Sequence, residues 1–102
     1  MATLYIAEYQ TVAQGAQGQI AEVADQPPLA EQTVTIAGAS AQSSAFNAVT
    51  RYVRLHCDAA YSVLFGTNPT ATAAKMRMAA NQTEYFAVPV GQSYKVAVIT
   101  NP

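Results

Sequence analysis

The chain has 102 residues, the length of one domain, and a formal net charge of −1 at pH 7. Only 11% of its residues are charged, and the five basic ones are scattered, which excludes the clustered positive surface that nucleic-acid binding requires. The single cysteine, Cys57, excludes an internal disulfide and a zinc site built from several thiolates.

The first 28 residues differ in character from the rest. Residues 2–10 alternate in the manner of a strand, with Leu4 and Ile6 on one face and Tyr5 and Tyr9 on the other. Residues 11–26 are rich in Gln, Ala and Gly and have no apolar period, which indicates a flexible loop. We therefore predict that residues 1–28 form an N-terminal arm and loop, and that the arm docks on another copy or on a larger assembly. The alternative is a strand packed into its own domain.

Residues 29–102 contain short alternating segments separated by turn signals about every ten residues. This spacing predicts an all-β domain, a small antiparallel β-sandwich or jelly-roll-like barrel. The tight connection 58–60 predicts a hairpin between its two neighbouring strands. The predicted strands are residues 32–37, 45–47, 51–57, 61–65, 75–78, 83–88 and 93–100.

The sequence contains no arrangement typical of an active site. His56 is the only histidine, and it adjoins Cys57 on a predicted strand, where neighbouring side chains point to opposite faces. His56 therefore cannot activate Cys57, which is predicted to be buried and inert. Asp58 and Glu84 lie in a turn and a strand with no spacing that pairs them. We predict no catalytic residue, no metal, no cofactor and no small-molecule substrate.

Membrane insertion and secretion are not predicted either. No apolar run approaches the roughly 18 residues of a membrane span, and the first residues lack the basic and apolar regions of a signal peptide. The weakly charged composition instead favours a subunit whose surface is covered by partners, and tyrosine is enriched at interfaces. We predict self-association, as a homotrimer. The candidate interface residues are Leu4, Tyr5, Ile6, Tyr9, Tyr52, Arg54 and His56.

Three stretches of the second half resemble small virion proteins of tailed bacteriophages. They are Arg51–Asp58, Val63–Thr72 with its Phe-Gly-x-x-Pro-x-Ala-Thr turn, and Met78–Phe86 with its Tyr-Phe pair. The resemblance implies a cement or decoration protein that is made in the bacterial cytoplasm, binds the major capsid protein at the head surface and lacks catalytic residues. Two alternatives stay open: a head-to-tail or tail component, and a carbohydrate-binding module for host attachment.

Overall fold

In the computed structural model, which describes residues 2–102, the chain is all-β, with ten strands in three antiparallel sheets. The described residues contain no helix that is long and apolar enough to cross a membrane. The strands are β1 (Thr3–Tyr9), β2 (Val12–Gln14), β3 (Ile20–Ala24), β4 (Ala30–Thr35), β5 (Ala41–Gln42), β6 (Tyr52–Cys57), β7 (Tyr61–Gly66), β8 (Met76–Met78), β9 (Thr83–Ala87) and β10 (Lys95–Thr100).

The first sheet has the order β4-β1-β6-β9, so the N-terminal strand lies in its interior. Leu4 is opposite Val34 of β4 and Cys57 of β6. Leu4 and Ile6 are only 0% and 2% exposed. The prediction of a free N-terminal arm is therefore wrong for β1. The alternating apolar residues of this strand are buried in the protein's own core. The alternative, a strand packed into its own domain, describes β1.

The second sheet has the order β5-β10-β7-β8. The inward residues of both four-stranded sheets form a single buried cluster, since alternation gives each sheet one apolar face that must be covered. The cluster comprises Leu4, Ile6, Val34, Ile36, Phe46, Val53, Leu55, Cys57, Tyr61, Val63, Met78, Val88, Val96 and Val98.

The predicted hairpin between β6 and β7 is wrong. β6 pairs with β1 and β9 in the first sheet, whereas β7 pairs with β10 and β8 in the second. The short connection at residues 58–60 therefore passes from one sheet to the other. The alternation within each strand predicts which side chains are buried, but it does not specify which strand lies alongside.

The predicted loop at residues 11–26 contains a hairpin, which corrects the sequence interpretation. β2 and β3 pair only with each other and form the third sheet. Two glycines make the turn: the Gly15 N–H donates to Gln19 O at 2.7 Å, and Gly18 adopts a φ of 84°, which favours glycine. The molecule measures 48 × 27 × 20 Å.

The predicted strand at residues 45–47 is also wrong. These residues follow the two-residue strand β5 and belong to the connection that leads into β6. The Phe46 N–H donates to Tyr94 O at 2.8 Å, and the Asn47 N–H donates to the Glu8 carboxylate at 2.7 Å. The Glu8 side chain therefore takes the Asn47 N–H, which a strand would have paired with a neighbouring strand.

Candidate interaction surface

Three of the predicted interface residues, Tyr5, Arg54 and His56, lie together on the outer face of the first sheet, where Tyr5 is opposite His56. They line a shallow depression of about 420 Å³ together with Glu31 and Thr33 of β4. Tyr5 is 54% exposed. This group of five residues is called the sheet-1 outer face below. The prediction that Leu4 and Ile6 belong to the same surface is corrected, because both side chains point into the core.

Hydrogen bonds to Thr83 of β9 hold the side chains of His56 and Arg54 in place. His56 Nδ1 lies 3.0 Å from Thr83 Oγ1, and the Arg54 guanidinium donates to the same oxygen at 3.4 Å. The remaining guanidinium donors and the phenol of Tyr5 stay available to a partner. The face can therefore offer hydrogen bonds and one aromatic ring to a protein surface.

Tyr9 and Tyr52, the remaining predicted interface residues, attach the β2–β3 hairpin to the first sheet. Their rings stack with centroids 5.3 Å apart. The Tyr52 hydroxyl donates to Thr11 O at 2.7 Å, and the Gln26 amide donates to the Tyr9 hydroxyl at 2.9 Å. Burial raises the pKa of Tyr52 above its ordinary value. Because Tyr9 is only 4% exposed, the structure gives it a packing role within the single chain.

A second depression, of about 590 Å³, lies between the β2–β3 hairpin and strands β6 and β9. It is called the hairpin groove below. Its walls include Ile20 and Val23 from the hairpin and Tyr85 from β9, which are 70%, 59% and 52% exposed. Sequence reasoning missed this groove because it treated residues 11–26 as a loop. The signal was the pair of large apolar residues, Ile20 and Val23, in a stretch otherwise rich in Gln and Ala.

A buried carboxylate was also missed. Glu8 is 2% exposed and follows Leu4 and Ile6 on the inward face of β1. Its Oε1 accepts hydrogen bonds from the Asn47 N–H and the Thr50 hydroxyl, at 2.7 and 2.8 Å. Its Oε2 accepts one from the Gln32 amide at 3.3 Å. These uncharged donors compensate the lost hydration and fix the connection before β6. The signal in the sequence was an acidic residue on the same face of a predicted strand as the apolar residues Leu4 and Ile6.

Cys57 is buried, as predicted, with 0% exposure. Burial raises the pKa of its thiol, which keeps the sulfur protonated and unreactive. His56 points to the opposite face of the same strand. Within residues 2–102, no group of three or more His, Cys, Asp and Glu side chains is placed to hold a metal ion.

Comparison with known proteins finds no matching family model, no similar curated protein and no similar solved structure. The function of this chain therefore has to be inferred from its own surfaces and topology.

Proposed function

We propose that this chain is a structural protein of a tailed-phage virion, of the capsid cement or decoration type. The proposal is supported by the resemblance of residues 51–86 to small phage virion proteins. That stretch spans strands β6 to β9, which form one side of both four-stranded sheets. The single observation that carries the proposal is the sheet-1 outer face, an exposed sheet surface on which the Tyr5 ring and the free donors of Arg54 are available to a protein partner.

We further propose that the two four-stranded sheets form a jelly-roll sandwich in which β1 takes the place of the last strand. Eight strands in two Greek keys define that fold, which is common in viral capsid and lectin domains. The support is the strand order β4-β1-β6-β9 over β5-β10-β7-β8. In addition, Ala2 O accepts from the Ile36 N–H while Ala37 O accepts from the Thr100 N–H. The two ends of the described chain are therefore close enough for such a permutation.

The proposed mechanism is mechanical. Copies of the chain, arranged as a homotrimer, contact the major capsid protein through the sheet-1 outer face and bridge neighbouring capsomers. The face carries one basic and one acidic side chain, Arg54 and Glu31, so a partner that pairs with both offsets the cost of desolvating them when the surface is covered. Each bridge adds contacts that must break before capsomers separate, so particles that carry the chain resist heat and osmotic shock better than those without it.

The test compares virions produced with and without the gene for this chain. Cryo-electron microscopy is expected to show its density on the outside of the head. Particles lacking the chain should release DNA at a lower temperature, and purified chain added back should restore stability. Density in the connector or tail would favour the head-to-tail alternative, and complete absence from particles would overturn the proposal. Specific glycan binding together with that absence would favour the carbohydrate-binding alternative.

A matched pair of variants localises the contact. Tyr5→Ser on the sheet-1 outer face should weaken head binding at least about tenfold, as expected for an aromatic anchor at an interface. Met76→Ser is the control, because Met76 lies on β8 of the other sheet and is 47% exposed, close to the 54% of Tyr5. Equal binding by both variants would exclude this face as the capsid contact.

A further inference from the structure

One threonine hydroxyl connects two side chains of the sheet-1 outer face. Arg54 and His56 are two residues apart on β6, so both project from the same side of the sheet. Thr83 is directly opposite His56 on β9. Its Oγ1 lies 3.0 Å from His56 Nδ1 and 3.4 Å from Arg54 Nη2. The hydroxyl therefore fixes the relative position of a guanidinium and an imidazole on one exposed surface.

The hydrogen-bonding capacity of this hydroxyl indicates which nitrogen of His56 carries the proton. A guanidinium can only donate, so Arg54 occupies a lone pair of Thr83 Oγ1. The hydroxyl hydrogen is then available to Nδ1, which accepts it when the neutral imidazole is protonated on Nε2. Nε2 is on the far side of the ring from Thr83, and His56 lines the depression of this face. Both side chains therefore present N–H donors to a bound molecule.

These donors determine which chemical group fits the depression. The planar guanidinium matches a carboxylate, with which it forms strong charge-assisted hydrogen bonds. The hydroxyl of Tyr5, which is opposite His56 on β1, adds a further donor. Glu31 lies two strands from Arg54, about 10 Å between Cα atoms. Its negative charge disfavours a ligand that carries a second charge, such as phosphate. A single carboxylate is therefore the group that this surface favours.

We propose that Arg54, His56 and Tyr5 bind the side-chain carboxylate of an aspartate or glutamate on a protein partner, and that Thr83 is the positioning residue of this site. The carboxylate accepts from the Arg54 guanidinium and from the Nε2–H of His56. Thr83 keeps both donors directed at the same group. Assignment of this carboxylate to the major capsid protein rests on the proposed function, whereas the donor arrangement is independent of it.

Nuclear magnetic resonance of the nitrogen-labelled chain tests the hydrogen bonds without any partner. His56 is the only histidine, so its ring signals are unambiguous. At a mildly alkaline pH that keeps imidazoles neutral, the native ring should be protonated on Nε2. Thr83→Val should give a mixture of both tautomers, while Thr83→Ser, which restores the hydroxyl, should retain the native pattern. A native ring that is protonated on Nδ1 overturns the assignment of the donors.

Titration with acetate tests the preference for a carboxylate. The side-chain signals of Arg54 should saturate at an acetate concentration at least about threefold lower than those of Arg51, an exposed arginine outside this face. Thr83→Val should remove this difference and Thr83→Ser should retain it. Thr100→Val, at an exposed strand position of the other sheet, is the control and should leave it unchanged. Equal saturation of the two arginines, equal effects of Thr83→Val and Thr83→Ser, or tighter binding of inorganic phosphate than of acetate overturns the site.

Binding to phage heads that lack the chain separates this inference from the proposed function. Arg54→Gln should weaken head binding at least about tenfold, and Thr83→Val should weaken it more than Thr83→Ser does. A native chain that binds acetate as expected but does not bind heads overturns the proposed function alone. Head binding that is equally strong with and without the Arg54 guanidinium overturns the inference alone.

Discussion

The two four-stranded sheets and the β2–β3 hairpin are built from the same antiparallel pairing, yet they differ in what their apolar residues contact. Leu4 and Val98 of the larger sheets are fully buried in a shared core, whereas Ile20 of the hairpin is 70% exposed. Backbone pairing alone therefore does not explain stability here. The sheets are stabilised by the apolar face that each supplies to the other, and the hairpin has no such face within the chain.

The largest expected effect concerns the core residue Leu4. Leu4→Ala should reduce the free energy of unfolding by about 2–5 kcal/mol, because it opens a cavity in the core that the two four-stranded sheets share. Ile20→Ala, which removes a side chain of the same size from the hairpin, should change it by less than about 0.5 kcal/mol in the monomer. Urea unfolding of both variants measures the difference. A small effect of Leu4→Ala would mean that β1 is not part of the core.

Glu8→Gln should cost about 1–3 kcal/mol. One carboxylate oxygen accepts from the Asn47 N–H and the Thr50 hydroxyl, and the other accepts from the Gln32 amide. In either orientation, the new amide nitrogen would face a hydrogen-bond donor. The control is Glu31→Gln on the exposed face of β4, which should be nearly neutral. Equal stability of the two variants in urea would show that the buried network does not hold the connection before β6.

Substitution of Tyr61 should change the free energy of unfolding by a smaller amount and in the opposite direction. Within the described residues its hydroxyl is buried without a hydrogen-bond partner, so Tyr61→Phe should stabilise the fold by about 1 kcal/mol. Burial raises the pKa of Tyr61 to about 12 from 10.0. The folded state therefore holds the proton more tightly, and the stability present below pH 10 should fall as the pH rises towards 12.

Unfolding curves between pH 9 and pH 12 test this prediction. Tyr61→Phe should lose less stability than the native chain across that range, while Tyr85→Phe, at an exposed position, should behave like the native chain. A destabilised Tyr61→Phe variant would show that the hydroxyl has a favourable partner.

The thiol of Cys57 reports on the same buried core. A thiol reagent should modify the native protein only at the rate of unfolding, because the sulfur is buried and its raised pKa keeps it protonated. A Cys57→Ala, Val90→Cys variant provides the control and should react within seconds at mildly alkaline pH. Equally rapid modification of native Cys57 would contradict the placement of β6.

Much of the strand content was predictable from the sequence, because alternation marks a half-buried strand wherever one face meets a core. The prediction for residues 51–57 matches β6 closely, including the burial of Cys57. Pairing was less predictable. The three residues 58–60 would suit a hairpin, but they join two different sheets, and only the distant partners β1 and β10 decide between these possibilities.

The candidate surface was predictable only in part. Alternation along the strands predicts that the side chains of Tyr5, Arg54 and His56 point outward. The structure brings these three residues together. The hairpin was missed because β2 has only three residues, and its Ala and Gln are not among the residue types enriched in strands. The positive φ of Gly18 is a feature of the turn that composition alone does not specify.

The most direct test of the contrast between core and hairpin is removal of the hairpin. Thr11 and Asp25 are hydrogen-bonded to each other through the Asp25 N–H, at 3.3 Å, so a two-residue Asn-Gly link can replace residues 12–24. The shortened chain should keep the native free energy of unfolding within about 0.5 kcal/mol, measured where both chains are monomeric. Loss of folding, or a fall in the free energy of unfolding well beyond that value, would contradict the account.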